Sequence, residues 1–242
     1  MNDEYAPVLN GSGSSDYENY LRTNELLALQ KTPEQSAHRD ELLFTTVHQT
    51  SELWLKLAVA EIREATARLD AGATLVAADH VSRAVQCMGY VIAALDMLDR
   101  LDPWDYQFVR TALGHGSGFD SPGFRGMSRV VPRLAGAFDR ALQASGVPLE
   151  ALYRQRADHE PLHMVAERLL DLDERLRLWR FRHYGVVMRA LGDRTIGLQG
   201  TPIEVLGKLI VQRQIPRLWE IRSRLTEMFD AEAGAQASSD PA

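Results

Sequence analysis

Apolar residues recur at spacings of three and four along most of this chain, and alternating runs of β-branched residues are almost absent. Such spacing places apolar side chains on one face of a helix. It predicts helices at 17–30, 36–71, 75–100, 102–113, 124–145, 148–155, 161–191 and 202–229. Two of these starts, Asp102-Pro103 and Thr201-Pro202, combine an N-cap residue with a following proline. The predicted fold class is therefore all-α, a helical bundle.

One domain at 16–230 is the expected organisation for a chain of 242 residues. Residues 1–15 are polar and end in Gly-Ser-Gly-Ser-Ser, which is typical of a flexible N-terminal arm. Residues 231–242 are rich in Ala, Gly and Ser, and we expect them to form a disordered tail. Two glycine-rich loops, at 114–118 and 192–200, interrupt the helices. Loops held by rigid helices are common places for a ligand.

Charge and cysteine content exclude several classes of protein. The net charge of -6 provides no positive field for nucleic acid, so we expect no nucleic-acid partner. The longest uncharged stretch, 84–95, is shorter than the about 20 apolar residues of a membrane span. We therefore expect no membrane segment. The acidic N-terminus differs from a secretory signal, and the lone Cys87 can form no intrachain disulfide, so a cytoplasmic location is expected.

Two histidines fall on apolar helix faces. His48 shares a face with Phe44 and Leu55, and His183 shares one with Val187. A neutral imidazole can coordinate haem iron. A histidine on an apolar face is, however, more often a core residue with one or two hydrogen bonds. By periodicity alone, both interpretations stay open for each histidine.

Polar candidates surround the first glycine-rich loop. Tyr106 and Arg110 lie four residues apart on one predicted helix face, an arrangement that suits a carboxylate ligand. Pairing of the arginine with a surface acid is the simpler alternative. Ser117 could be a turn residue or could present its hydroxyl to a ligand. The surrounding GHGSGF does not match the nucleophile elbow of serine hydrolases, because His115 replaces the first glycine.

The segment HEPLH at 159–163 matches the HExxH pattern of zinc metalloproteases. That pattern requires both histidines on one helix, a turn apart, with the glutamate activating water. Pro161 is tolerated only in the first turn of a helix, which would leave His159 outside it. The motif therefore favours a helix start over a zinc site.

Five segments of the chain resemble, in the same order, the tryptophan 2,3-dioxygenase family, whose members are haem enzymes that open the indole ring of L-tryptophan with O2. The segments are YENYLRTNELLALQ (17–30), DELLFTTVHQTSELWLKL (40–57), DYQFVRTALGHGSGFDS (105–121), LWRFRH (178–183) and LWEIRSRL (218–225). HQTSELW and LWRFRH are specific strings rather than spacing patterns.

The resemblance implies haem b held between the helices. By similarity, His183 is the axial ligand of the haem iron, and His48 is the distal histidine that accepts a hydrogen bond from the indole N–H. Phe44 packs on the indole ring. Tyr106 and Arg110 hold the substrate carboxylate through charge-assisted contacts.

Further positions follow from the same resemblance. Ser117 would lie on the distal side, near the haem and the substrate ammonium. In the family, the N-terminal segment of a neighbouring subunit closes the pocket, which carries over to Tyr17, Tyr20 and Leu21. A homotetramer is therefore expected.

The chain departs from the family pattern after the proximal helix. Where the family has a GTGGS-type loop whose threonine contacts the amino-acid part of the substrate, this chain has RTIGLQGT at 194–201. Thr195 and Thr201 are the two candidates for that threonine. The stretch between the first glycine-rich loop and the proximal helix is also shorter than in the family. The chain is thus expected to be a compact member.

The expected activity is oxygenation of L-tryptophan, or of a substituted tryptophan, by O2 at ferrous haem. Addition of both oxygen atoms at C2 and C3 gives an N-formylkynurenine-type product, whereas insertion of one atom gives a 2-oxindole of a biosynthetic pathway. Both outcomes stay open, because the product depends on how the substrate is held. Two other classes are weighed against this activity: a zinc hydrolase on HEPLH, and a non-catalytic helical scaffold in which both histidines are core residues.

Overall fold

The structure, a computed structural model, describes residues 7–239 of the chain, with side chains through residue 235. Its α-helices are α1 (Asp16–Leu21), α2 (Thr23–Leu27), α3 (Glu41–Asp70), α4 (Thr74–Leu98), α5 (Pro103–Ala112), α6 (Pro122–Ser145), α7 (Leu149–Arg154), α8 (Glu160–Leu191), α9 (Glu204–Ile210) and α10 (Pro216–Ser239). Within residues 7–239 there is no β-strand, only an isolated bridge between Ile196 and Pro202. The all-α prediction is confirmed.

The core lies between the four longest helices of the bundle, α3, α4, α6 and α8. Helix α4 packs against both α3 and α8, and α6 packs against α3. Leu55 and Ile62 of α3, Met88 of α4, Leu134 of α6 and Leu169 of α8 are completely buried. Burial of each such side chain contributes about 1.5–3 kcal/mol. The spacing of three and four in the sequence therefore marks the faces that meet in this core.

Helix α4 is, among the described helices, the one long and apolar enough to cross a membrane by length and composition. It contains the uncharged stretch 84–95. In this structure its apolar face is used inside the protein, where Val81, Ala84, Met88 and Val91 are buried. These residues pack with the neighbouring helices in the core. Its apolar composition is thus accounted for by its place in the bundle.

Near the N-terminus, two of the predicted helices differ from the observed ones. The helix predicted at 17–30 is divided at Arg22, whose φ of 54° is left-handed. The helix predicted from residue 36 begins at Glu41, and residues 33–35 form a short 3-10 turn. A left-handed arginine ends the regular hydrogen-bonding pattern, and the chain therefore changes direction between α1 and α2.

The helix predicted at 202–229 is also two helices, α9 and α10. Pro216 begins α10, in the first helical position, where the missing N–H costs no hydrogen bond. Just before it, the amides of Gln214 and Ile215 donate to the buried carboxylate of Asp173, at 3.0 and 3.2 Å. The carboxylate thus satisfies backbone groups that the break would leave unpaired.

The described residues nearest the two ends have local structure of their own. The side chain of Asp16 accepts from the amides of Val8 and Leu9, at 2.9 and 2.7 Å, and Asn19 donates to the carbonyl of Leu9. At the other end, α10 continues through Ser239 into the predicted tail. Residues 1–6 of the arm and 240–242 of the tail lie outside the described residues, and the flexibility of both ends stays a prediction.

A second, smaller apolar cluster lies where α3, α4 and α8 come together near α5. Its buried members are Val47, Leu95, Leu98, Leu101 and Val186. Phe44, Tyr106 and Trp179 pack against it, and Trp179 also contacts the main core. The candidate residues Phe44 and Tyr106 thus meet Trp179, which lies one helical turn before the candidate His183, at this end of the bundle. The candidate site is built here.

Candidate functional site

Helix α3 presents His48 in one defined protonation state. The Nδ1 atom of His48 lies 2.7 Å from the carbonyl oxygen of Phe44. A carbonyl only accepts hydrogen bonds, so Nδ1 carries the proton of the neutral ring, and Nε2 keeps a lone pair. The Phe44 ring lies 4.0 Å from the His48 ring, centroid to centroid, and supports it from one side. His48 therefore presents a hydrogen-bond acceptor at Nε2.

The surroundings of His48 keep it neutral. Burial among protein atoms lowers its pKa, and this outweighs the hydrogen bond to Phe44 and the negative charge of Glu52, which raise it. The ring is nevertheless accessible to solvent. His48 is thus a solvent-accessible side chain with protein atoms packed closely around part of its ring. A neutral, accessible acceptor can bind an N–H or O–H group of a ligand.

His183 of α8 faces the same region. Its ring stacks on Trp179 with a centroid distance of 4.8 Å and an interplanar angle of 10°. Burial, together with the smaller effect of the positive charge that the neighbouring His48 can carry, lowers the pKa of His183 to about 4. His48 and His183 are thus near enough to repel each other when protonated. The two predicted histidines are brought together.

The nitrogen atoms of His183 make no contact with a polar partner in the described part of the chain. No residue in the range 7–235 forms a hydrogen bond or an ion pair with this imidazole. A core histidine normally satisfies at least one nitrogen. A neutral imidazole with unused nitrogens is what an axial metal ligand requires. His183 is half-buried, and no buried side-chain nitrogen or oxygen in the described part of the chain lacks a partner, so its unpaired nitrogens are open to solvent or to a ligand.

Helix α5 adds Tyr106 and Arg110 to the same wall. The ring of Tyr106 lies 5.9 Å from that of Phe44. Burial raises the pKa of the Tyr106 phenol, against the positive charge of Arg110, so the phenol stays protonated and can donate. Arg110 forms no ion pair with any described acid, and its Nη2 atom donates to the carbonyl of Ile196 at 2.8 Å. Its charge is available to an anionic ligand.

Ser117 lies in a turn that closes the first glycine-rich loop. Its side chain accepts from the amide of Phe119 at 3.3 Å, and its own amide donates to Asp120 at 3.2 Å. Gln199 donates to the same carboxylate at 2.7 Å and to the carbonyl of His115 at 2.9 Å. Gln199 therefore holds the two glycine-rich loops against each other, and Arg110 of α5 adds a hydrogen bond to the second loop at Ile196.

The two candidate threonines of the second loop have structural contacts. The hydroxyl of Thr195 donates to the carbonyl of Leu191 at 2.6 Å, at the end of α8. Thr201 accepts the amide of Gly197 at 2.9 Å through its backbone carbonyl. The Thr195 hydroxyl is thus committed to the helix end in this conformation.

The N-terminal residues lie apart from these side chains. Tyr17, Tyr20 and Leu21 are 68%, 78% and 47% exposed. Among the described residues, none of the three forms a hydrogen bond or a ring contact with the pocket of its own chain. The structure of one chain therefore does not bring them into the site.

The HEPLH segment does not form one helical turn. Helix α8 begins at Glu160, one residue before Pro161, and His159 precedes it with φ -128° and ψ 23°. His163 lies inside α8, and its ring packs edge-to-face against Tyr153 with a centroid distance of 5.1 Å. His159 therefore lies outside the helix, as the position of the proline indicates.

Two contributors to the site were missed by the sequence analysis. Glu52 accepts from the hydroxyl of Ser121 and from the amide of Gly123, the latter at 2.9 Å, and so joins α3 to the start of α6. Gln199 connects the loops as described above. Glu52 lies one turn from His48 in HQTSELW, and this spacing could have indicated it. No local pattern marks Gln199.

Comparison with known proteins identifies the family. The family model described as tryptophan 2,3-dioxygenase matches residues 3–134, which is more than half of the chain. The chain belongs to this family. The matched part of this tryptophan 2,3-dioxygenase family member contains Phe44, His48, Tyr106 and Arg110, whereas His183 lies beyond it.

Individual members of the family align over most of the chain. The tryptophan 2,3-dioxygenase of Myxococcus xanthus is 27% identical over 265 residues, covering 89% of this chain and 91% of that protein. That of Shewanella woodyi is 28% identical and covers 86% and 90%, and that of a Bradyrhizobium strain is 29% identical and covers 93% and 99%. The chain thus spans nearly the whole length of these relatives.

Proposed function

We propose that this chain is a haem-dependent oxygenase that adds both atoms of O2 across the C2–C3 bond of the indole ring of L-tryptophan or a substituted tryptophan. Membership of the family supports the class of reaction, and the relatives named above carry that activity in their names. The observation that carries the proposal is the pair of neutral histidines, His48 and His183, which lie close together.

The residues around His183 fit a haem group. The imidazole is neutral, has no hydrogen-bond partner among residues 7–235, and lies against the flat ring of Trp179. The Trp179 ring in turn packs against the Phe124 ring with a centroid distance of 3.9 Å, so His183 adjoins an aromatic, apolar surface. His183 would bind the haem iron through an imidazole nitrogen. When bound, haem b in its ferrous form supplies the O2 chemistry, and the protein supplies orientation.

His48 and Phe44 orient the indole in this proposal. The Nε2 lone pair of His48 accepts the indole N–H, because Nδ1 is held by the Phe44 carbonyl. The Phe44 ring offers an aromatic face beside it, and aromatic rings pack favourably at 4.5–7 Å between centroids. His48 thus fixes which edge of the indole faces it, without itself giving up or taking a proton.

Arg110, Tyr106 and Ser117 bind the amino-acid end of the substrate. The guanidinium of Arg110 has donors left beside its contact with Ile196, and these pair with a carboxylate. Tyr106 donates its phenolic proton to the same group, since its raised pKa keeps it protonated. Ser117 and the loop with Thr195 and Thr201 line the remaining side, near the ammonium.

A single-atom insertion giving a 2-oxindole is the second candidate outcome. It is favoured by the commitment of the Thr195 hydroxyl to Leu191, since a substrate held by fewer contacts lies differently over the iron. A zinc hydrolase has lost its support, because His159 lies outside α8.

The subunit arrangement is part of the proposal. Exposed aromatic and aliphatic residues on α1, Tyr17, Tyr20 and Leu21, are suited to contact a neighbouring chain in a homotetramer and to close its pocket. We also propose a cytoplasmic location, which the single, buried Cys87 fits.

The product of the reaction in labelled oxygen tests the proposal. The purified protein with L-tryptophan and 18O2 should show the Soret absorption of haem and should give an N-formylkynurenine-type product with two labelled atoms. A product with one labelled atom at C2 would establish the oxindole alternative. A colourless, zinc-containing protein that leaves tryptophan unchanged would refute both.

A further inference from the structure

Three metal-binding side chains converge outside the pocket. His38, Asp40 and Asp105 each offer one ligand atom, and these atoms lie within 4.8 Å of one another. His38 and Asp40 precede α3, whereas Asp105 lies in the first turn of α5. Their side chains are 23%, 23% and 39% exposed, so they form a shallow, partly shielded site that water can reach. None of the three has a role in the proposed reaction.

Both carboxylates lie at the start of a helix, Asp40 as the N-cap residue of α3 and Asp105 in the first turn of α5, and neither side chain accepts a backbone amide. Asp105 lies near the start of α5, where Asp102 already accepts the amides of Trp104 and Asp105. Aspartates at such positions normally bind backbone amides. Here both carboxylates are left for another partner.

The nearby cations do not neutralise the cluster. Arg39 approaches Asp40 at 3.4 Å, but its side chain is 89% exposed, so water screens this contact. The amino group of Lys31 is bound by Glu41 instead. The Nε2 atom of His38 lies 3.8 Å from Asp105, too far for a hydrogen bond. The two carboxylates therefore lie beside one imidazole, and little positive charge nearby compensates their negative charge.

We propose that His38, Asp40 and Asp105 bind a divalent transition-metal ion of the Mn2+ or Zn2+ class. One imidazole and two carboxylates suit such ions, whose bonds to nitrogen and oxygen are about 2.0–2.2 Å long, and waters complete the coordination. Coordination by Nε2 moves the ring proton of His38 to Nδ1. This change of tautomer breaks only one hydrogen bond, the long contact of 3.3 Å in which Nδ1 accepts from the amide of Asp40.

The ion would connect the two helices that carry the pocket. The carbonyl of Asp40 accepts the amide of Phe44 at 3.0 Å, so this residue is joined to the first turn of α3. Asp105 is the neighbour of Tyr106 in α5. The ring of His38 stacks on Phe108 of the same helix, 5.9 Å away with an interplanar angle of 17°. Metal binding would therefore fix α3 and α5 relative to each other at the entrance of the pocket.

Titration of the protein with Mn2+ tests this site without reference to activity. The protein as purified is treated with EDTA, dialysed, and titrated with Mn2+ while the free ion is followed by electron paramagnetic resonance. We expect one ion per chain. Asp105→Asn should weaken binding by at least about tenfold, since loss even of an outer-shell partner of a metal ligand typically costs 10–100-fold. Asp79→Asn, an exposed acid on α4, is the matched control and should bind as the parent does.

Thermal unfolding and a second pair of variants complete the test. Mn2+ should raise the melting temperature of the parent and of Asp79→Asn, but not that of Asp105→Asn. If Asp105→Asn does not fold, His38→Gln takes its place. Equal Mn2+ affinity in the parent and in the folded cluster variant overturns the proposal. So does Zn2+ binding that is lost in His159→Ala and kept in His38→Gln, since that result assigns the ion to HEPLH.

Discussion

At the scale of single residues, the site depends on two imidazoles that the protein keeps neutral by different means. His48 is fixed by a hydrogen bond from Nδ1 to the Phe44 carbonyl, which leaves Nε2 as an acceptor. His183 is kept neutral by burial beside Trp179 and by the nearness of His48. The first arrangement suits a ligand with an N–H group, and the second suits a metal. The two histidines therefore test different parts of the proposed function.

Replacement of His48 should weaken turnover without removing haem. His48→Ala leaves the indole N–H of a bound substrate unpaired, which costs about 1–3 kcal/mol. Since about 1.4 kcal/mol corresponds to a factor of ten, kcat/KM should fall about ten- to hundredfold. The variant should also lose the preference for tryptophan over its N1-methyl analogue, which has no N–H to donate. Complete loss of turnover with normal substrate binding would show that His48 is an obligatory acid or base.

The low pKa of His183 should appear in the stability of the haem-free protein. Below the usual histidine pKa of 6.5 the unfolded chain binds a proton at this position, whereas the folded chain does so only near pH 4. The free energy of unfolding should therefore fall as pH decreases from about 6.5 to about 4, by about 3 kcal/mol from this residue. Denaturant unfolding of the parent and of His183→Gln at several pH values measures this fall in the free energy of unfolding. Parallel pH profiles for the two proteins would contradict a neutral, buried His183.

At the scale of secondary-structure elements, the break between α9 and α10 rests on one buried carboxylate. Asp173 of α8 is completely buried and accepts from the Gln214 and Ile215 amides and from the indole N–H of Trp219, the last at 2.8 Å. Arg177 and Arg213 lie over the Trp219 ring, at 5.0 and 5.5 Å from its centroid. Three donors hold the carboxylate of Asp173, and the nearby guanidinium of Arg180, whose pKa is lowered by burial and raised by the charge of Asp173, adds a favourable charge interaction. It therefore joins α8 to the start of α10.

Asp173→Asn should destabilise the protein although the two side chains have nearly the same shape. The amide group turns one acceptor into a donor that faces other donors, and hydrogen bonds to a charged group contribute about 1.5–3 kcal/mol each. We expect the free energy of unfolding to fall by about 2–4 kcal/mol. The matched variant Asp171→Asn removes an exposed acid paired with Arg168 on the same helix and should change it by less than about 1 kcal/mol. Equal effects of the two changes would contradict this role of Asp173.

The helices could be predicted from the sequence wherever one apolar face decides the structure, as in α3 with Leu55 and Ile62. The break at Pro216 could also be predicted from the sequence, because a proline inside a helix costs about 3 kcal/mol or more. The break at Arg22 could not be predicted, since arginine has no preference for a left-handed backbone. In the site, periodicity placed His48 and His183 on inward faces but could not separate ligand from core. Gln199 was missed, because its partner Asp120 is 79 residues away in sequence.

At the scale of the whole molecule, the N-terminal part contributes little to its own bundle. Tyr17 and Tyr20 are largely exposed, and neighbouring apolar residues such as Leu27 and Leu29 are 72% and 66% exposed. Apolar surface of this kind is typical of a region that is covered by another chain. The pocket described here has walls from α3, α5 and α8 of one chain. In the proposed tetramer a neighbour covers the side of the pocket that these helices and the loop 194–201 leave open.

Mixed oligomers test whether the arm of one chain completes the site of another. Tyr20→Ala should have low activity because its arm lacks an aromatic contact, and His183→Ala should have none because it cannot hold haem iron. When the two variants are expressed together, some sites combine an intact His183 with an intact Tyr20 from the neighbour. Activity should then exceed that of the separately prepared variants mixed without exchange of subunits. No recovery in verified mixed oligomers would place Tyr20 outside the neighbouring pocket.

Helix α3 runs without interruption through thirty residues, from the pocket at His48 to the main core at Ile62. Backbone amides in such a helix exchange their hydrogens with solvent only when the surrounding core opens. The opposite wall is the loop 194–201, held by a few hydrogen bonds from Arg110 and Gln199, and its amides can exchange through local opening. In deuterated water, the amide of His48 should therefore be protected for much longer than those of the loop. The α3 wall of the pocket therefore opens only when the core does, whereas the loop 194–201 can open locally to admit a substrate.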